Sequence, residues 1–105
     1  MHREDTLFRA LADPSRRAIY QRLARGEVPV KDLAARFEIS QPAISQHLAT
    51  LRGAGLVSER REGRLVYYRV KPDGLQPLID WIAHYRAFWP ERVDRLRTLL
   101  EEMDE

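Results

Sequence analysis

Apolar positions recur at helical spacing through the first half of the chain, alternate over a short middle stretch, and return to helical spacing up to the C-terminus. Asp5 can cap a first short helix whose apolar side holds Leu7, Phe8 and Leu11. Asp13-Pro14 is a second start signal, a capping carboxylate followed by proline at the first helical position. The helix it opens buries Ala18, Ile19 and Leu23, and Gly26 stops it. Val28-Pro29-Val30 reads as a short extended link, and Lys31 to Phe37 as a third helix with Leu33, Ala34 and Phe37 on one side. After the tight connection Glu38-Ile39, Ser40 can cap a fourth helix running to about Gly53. Its Ile44, Leu48 and Leu51 fall at i, i+4 and i+7 on one face. Pro42 costs no hydrogen bond there, because first-turn amides have no intrahelical partner.

Beyond Gly53-Ala54-Gly55, Leu56 to Arg60 and Leu65 to Val70 read as paired strands joined by the tip Arg61-Glu62-Gly63-Arg64. In the second strand Val66, Tyr68 and Val70 share one face, Leu65, Tyr67 and Arg69 the other. After Lys71-Pro72-Asp73-Gly74, Leu75, Leu78, Ile79, Ile82, Tyr85, Trp89, Val93, Leu96, Leu100 and Met103 recur at helical intervals. A single helix there would be about 43 Å long. Pro90 cannot donate to the carbonyl of Arg86, so a kink or two abutting helices are expected. The expected fold is mainly α with a small β-hairpin: a winged helix-turn-helix over 1–72, then a C-terminal helical region over 73–105 that dimerises, in one compact domain.

Composition sharpens this picture in two respects. The chain of 105 residues suits one domain with a modest core, which a partner subunit would help to stabilise. Its net charge of +2 hides an asymmetry: residues 1–75 carry 14 Lys/Arg against 9 Asp/Glu, whereas residues 76–105 carry 4 against 7. Sixteen of the 18 basic residues are arginine, the side chain suited to bidentate phosphate and guanine contacts. A basic body points toward nucleic acid. No cysteine is present, which excludes disulfides, thiolate metal sites and thiol redox sensing. No apolar run approaches the roughly 18 residues of a membrane span, and Met1 to Arg9 lacks the core of a secretory signal. A cytoplasmic location is expected, with no membrane partner.

The chemistry gathers on the fourth helix and the hairpin. Opposite the apolar stripe stand Pro42, Ser45, Gln46, Ala49 and Thr50, with Gln41 at the tip: small, polar and uncharged, as a helix lying in a groove requires. Gln41 and Gln46 carry amides able to pair with adenine edges or with phosphate. The hydroxyls of Ser40, Ser45 and Thr50 and the helix N-terminal amides suit phosphate oxygens. Arg60, Arg61 and Arg64 gather at the hairpin tip, where DNA contact is the natural role. His47 lies beside Ile44 and Leu51 on the wheel, as either a half-buried structural histidine or a phosphate contact. Arg16 and Arg17 are either solvated helix charges or phosphate contacts. One of Tyr67 and Tyr68 belongs to the core; the other, taken as Tyr67, faces surface or phosphate.

These stretches resemble a known family. Leu11-Ala12-Asp13-Pro14-Ser15-Arg16-Arg17, Ile39-Ser40-Gln41-Pro42-Ala43-Ile44-Ser45-Gln46-His47-Leu48 and Leu51-Arg52-Gly53-Ala54-Gly55-Leu56-Val57 look very like the ArsR/SmtB repressors. The wing Arg60-Arg61-Glu62-Gly63-Arg64, followed by Tyr67-Tyr68-Arg69, agrees. The resemblance implies a dimeric winged helix that represses from a palindromic operator and is released by an effector. Trp81 and Tyr85-Arg86-Ala87-Phe88-Trp89, followed by Arg92 and Leu96, look like a subgroup with aromatic-rich C-terminal helices. Metal-sensing members use cysteine pairs near the recognition helix, or Asp and His on the C-terminal helix. Here Asp80 and His84 stand alone at i, i+4, so no metal and no cofactor are expected.

The partners expected are double-stranded DNA and a second copy of the chain, with Leu7, Leu75, Leu78, Ile79, Ile82, Tyr85, Trp89, Val93 and Leu96 at the dimer interface. The aromatic tail could instead line a cavity for an unknown small organic effector. An enzyme is not expected, for want of a cysteine nucleophile, a glycine-rich phosphate loop or a metal-ligand set. The non-enzymatic rival is a winged helix used for protein or RNA contacts, but such modules usually lose the basic wing tip and the outward glutamines, both of which remain here.

Overall fold

A computed structural model describes residues 3–86 and 90–103, with side chains described to residue 86 and again from residue 95. The chain runs through α1 (Arg3–Ala12), α2 (Pro14–Leu23), β1 (Val28–Pro29), α3 (Val30–Phe37), α4 (Gln41–Gly53), β2 (Val57–Glu62), β3 (Leu65–Val70), α5 (Gln76–Arg86) and α6 (Pro90–Met103). The expected order of elements is recovered, with two corrections.

The first concerns α1. Asp5 lies inside its first turn beside Glu4 and is not its cap; both acids still oppose the positive end of the helix dipole. Leu7, expected at the dimer interface, is 1% exposed within its own core. Its neighbour Phe8, expected on the apolar side, is the residue left at the surface.

The junction between α1 and α2 explains why Asp13 to Arg17 reads as a motif. Asp13 adopts an extended conformation, and its carboxylate accepts from the Ser15 N–H at 2.7 Å and the Arg16 N–H at 3.2 Å. Arg16 then turns back, its Nε donating to the Ala10 carbonyl at 2.7 Å. Arg17 donates from Nη1 to the Leu11 carbonyl at 2.6 Å. Five consecutive residues therefore open α2 and satisfy the carbonyls that α1 leaves free at its end. Both arginines serve structure here, as neither of their expected roles foresaw.

The second correction is the sheet. The segment expected as a link contributes a strand, and the hairpin becomes a three-stranded antiparallel sheet of order β1-β3-β2. Val28 pairs with Tyr68 and Pro29 with Tyr67. Proline cannot donate to a ladder, so its place on an edge strand of two residues fits the chemistry. The signal was too short to read: two residues have no periodicity.

The C-terminal region follows as two helices, one of the two outcomes expected of Pro90: α5 is described to Arg86, and α6 begins at Pro90, where the missing N–H is harmless.

The core gathers one side of every element from α1 to β3. Leu7, Ile19, Leu23, Leu33, Ile44, Leu48, Leu51, Leu56 and Val57 are each at most 2% exposed, and no charged side chain is buried among the described residues. Each such aliphatic side chain contributes about 1.5–3 kcal/mol relative to exposure. Leu75 and Leu78, expected at the dimer interface, pack in part against this core. Gly74 sets their approach: a Cβ there would stand 2.7 Å from the Gly55 carbonyl oxygen, so only glycine lets the chain pass from wing to α5 this closely.

Candidate nucleic-acid interface

Two elements present polar surfaces, and each can be built from its residues. In α4, Ser40 is the N-cap, its Oγ accepting from the Ala43 N–H at 3.2 Å. The turn before it is closed by Glu38 in a left-handed conformation with φ of 55°, which lets the Glu38 and Ile39 amides bond back to α3. Ile44, Leu48 and Leu51 are fully buried, and this pins the rotation of the helix about its axis. Gln41, Pro42, Ser45, Gln46, Ala49 and Thr50 are consequently all exposed. The helix carries no carboxylate.

Two of its residues are more occupied than their types suggest. The Thr50 hydroxyl donates to the Gln46 carbonyl at 3.2 Å, so it can only accept from a further partner. His47 is half-buried and lies close enough to Asp13 to act on its charge. The Asp13 carboxyl is held below the ordinary carboxylate range chiefly by the Arg16 N–H, with the Ser15 N–H and nearby positive charge adding to the effect.

The wing is longer on its first strand than expected and tighter at its turn. Strand β2 extends through Glu62, which pairs with Leu65, leaving Gly63 and Arg64 as a two-residue loop. Gly63 takes φ of 60°, the conformation such loops demand at their first position. The three arginines are therefore not one cluster. Arg64 sits in the loop and Arg61 opposite Val66 near it, both exposed and without an ion pair among the described residues.

Arg60 lies deeper and is spoken for. It is opposite Tyr67, with its guanidinium carbon 4.6 Å from the Tyr67 ring centroid. Its Nη1 donates to Glu62 at 2.6 Å, while Nε (3.3 Å) and Nη2 both donate to the Glu27 carboxylate. These bonds push the ionisation of Arg60 upward and hold the Glu27 carboxyl below its ordinary value. Tyr67 is half-buried beneath Arg60, and Tyr68 is the core member of the pair.

A second ionic group joins α4 to the sheet. Arg52, in the last turn of α4, meets Glu59 of β2 at 2.8 Å, and the buried Tyr68 donates its hydroxyl to the same carboxylate oxygen at 3.0 Å. Burial first, and Glu59 second, push the Tyr68 hydroxyl upward from its ordinary value. Reading one residue at a time missed Glu27, Glu59, Glu62 and Arg52. Glu62 and Arg60 share a strand face at i, i+2, a signal that was available; the others become neighbours only through the sheet.

On the far side, α1 and α5 meet through rings: Phe8 stands edge-on to Trp81 at 5.3 Å, and Trp81 is 4.8 Å from Tyr85. Beside them opens a cleft of about 770 Å³ lined by Asp80, Trp81, His84 and Tyr85 with Gln76 and Glu4. Asp80 accepts from the Gln76 amide at 2.8 Å, and no group of three potential metal ligands forms among the described residues. Ile79 and Ile82 are 53% and 52% exposed, and Leu96 is 59% exposed. Trp89 and the Val93 side chain, also expected at the dimer interface, lie outside the described residues. No described helix is long and apolar enough to cross a membrane.

Residues 11–60 match the model of a helix-turn-helix domain family. The chain is 37% identical over 81 residues to the transcriptional repressor SdpR of Bacillus subtilis, an alignment covering 77% of this chain and 90% of that protein. Its structure is similar to an ArsR-like transcriptional regulator from Rhodococcus, with a TM-score of 0.74, 29% identity and 92% of each chain covered. It is also similar to the homodimeric winged helix-turn-helix DNA-binding domain of a possible ArsR-family regulator from Mycobacterium bovis. There the TM-score is 0.67 and the identity 31%, over 79% of this chain and 80% of the other.

Proposed function

The chain belongs to the ArsR/SmtB family of winged helix-turn-helix transcriptional regulators, and from that premise we propose that it represses transcription as a homodimer on a palindromic operator. The observation that carries the reading is the exposed, carboxylate-free face of α4, held outward by three fully buried aliphatic residues. Laid in the major groove, that face brings Gln41, Ser45 and Gln46 to base edges. The N-terminal amides of α4, with Ser40, Pro42, His47 and Thr50 around them, meet the sugar-phosphate backbone. Arg61 and Arg64 reach phosphates farther along the duplex, with Tyr67 and Arg60 behind them.

The dimer joins through α5 and α6. Ile79, Ile82 and Tyr85 of α5 and Leu96 of α6 are apolar side chains that the chain's own core does not cover, and the exposed Phe8 takes the place expected for Leu7. A second copy related by two-fold symmetry covers them. The aromatic cleft between α1 and α5 adjoins this surface, and it is where a small effector would act on the dimer. Such a regulator works in the cytoplasm, where the operator lies.

Selection of duplexes from a random library at near-physiological salt tests the reading. A palindrome with half-sites about 34 Å apart is expected. Recovery of no motif, with binding that vanishes as salt rises, would reduce the contact to charge attraction and remove the operator.

A further inference from the structure

Arg60 is chemically suited to phosphate, yet each of its three guanidinium nitrogens already has a carboxylate partner. Nε and Nη2 meet the two oxygens of Glu27, Nη1 meets Glu62, and the flat face lies over Tyr67. We propose that Glu27 and Arg60 form a strut that holds the wing at a fixed angle to the body, so that Arg60 positions Arg61 and Arg64 and does not itself grip DNA. This rests on the DNA-binding reading above.

The sheet explains how residues 33 positions apart come to meet. Arg60, Tyr67 and Pro29 form one row across β2, β3 and β1. Side chains two residues apart along a strand share a face, so Glu27, two before Pro29, and Glu62, two after Arg60, stand on the same side as Arg60. Glu27 belongs to the body, at the exit from α2, and Arg60 belongs to the wing. The backbone tie between the two is short, because β1 has two residues and one is proline. A two-stranded ribbon is marginal alone, and beyond the two residues of β1 no third strand supports it.

Exposed ion pairs generally add little. The exceptions are bidentate arginine–carboxylate pairs and networks, and this group is both. For Arg60 to reach a phosphate, it would have to leave two carboxylates behind. Glu27 would then face the negative duplex without its bonded partner, with only the more distant charge of Arg69 to offset it. Arg61 and Arg64 have no such obligation.

The salt dependence of duplex affinity, measured on the full chain as wild type, Glu27→Gln, Arg60→Gln and the double variant, decides the matter. Each single variant should weaken binding on the order of fivefold, and the double should lose no more than one of them, since the pair acts as a unit. The slope of log affinity against log salt should stay that of the wild type in all of them. The charge exchange Glu27→Arg with Arg60→Glu should recover part of the loss. The proposal is overturned if Glu27→Gln binds more tightly with a steeper slope, or if Arg60→Gln flattens the slope by about 0.9, the signature of a lost phosphate contact.

Hydrogen exchange of the wing amides in the DNA-free protein separates this from the function itself. Faster exchange at Tyr67 and Arg69 in Glu27→Gln supports the strut even if no operator is found; unchanged exchange removes the strut even if one is.

Discussion

Helix α4 and the β2–β3 wing are the two surfaces proposed to meet DNA, and they are positioned by different forces. The helix is set by burial: Ile44, Leu48 and Leu51 lie at 0% exposure against the core, so its outward face follows from its inward one. The wing runs away from the core, from buried Val57 to exposed Arg60, Arg61 and Glu62, and side-chain packing thins along the way. Ion pairs take over where packing ends: Arg52–Glu59 near the root, Glu27–Arg60–Glu62 farther out. Packing is insensitive to salt and pH, whereas exposed ion pairs respond to both. A rigid reader is thereby joined to a grip whose angle depends on charge.

The contrast can be broken most forcefully from the helix side. Leu48→Ala should lower the free energy of unfolding by about 2–5 kcal/mol, seen in urea denaturation, with the DNA affinity of the remaining folded protein lost in parallel. A loss below about 1 kcal/mol would mean that α4 is not held by its buried face. Gln46→Ala leaves the core untouched and should cost about 1–3 kcal/mol on the preferred duplex and little on random DNA, read by competition binding. Equal losses on both would make Gln46 a backbone contact. On the wing, Arg61→Ala with Arg64→Ala should weaken binding to all duplexes alike and flatten the salt slope by about 1.8. An unchanged slope would take the wing off the DNA.

The smallest expected effect is with acid. Glu27 is held below its ordinary value of 4.5 by Arg60, so its folded pKa is depressed relative to the unfolded chain. The contribution of the pair is then complete above that ordinary value and lost as pH falls through the folded pKa. Wing amide protection, corrected for intrinsic exchange, should therefore decline in the wild type as pH falls below the ordinary value of 4.5 and be flat in Glu27→Gln. Decline in both would assign the acid response to another carboxylate.

Much of this molecule could be read along the chain because its decisive signals are local. Asp13-Pro14 and Ser40 start helices by chemistry that involves only the next three residues, and the i, i+4, i+7 stripe of α4 states which face is buried. The turn at Gly63 announces the hairpin in the same way. These determined the order of elements, the winged helix-turn-helix architecture and the surface expected to meet DNA. Tertiary structure alone decided the rest. It made Val28–Pro29 a strand, because pairing with β3 needs no periodicity of its own. It placed Leu7 inside and Phe8 outside, a choice between adjacent residues that depends on where α5 lies. It turned Arg16 and Arg17 back onto α1, and divided three wing arginines into one that is held and two that are free among the described residues. The physical reason is range: caps, turns and stripes act within a few residues, whereas a strut from residue 27 to residue 60 exists only after the sheet has brought its ends together.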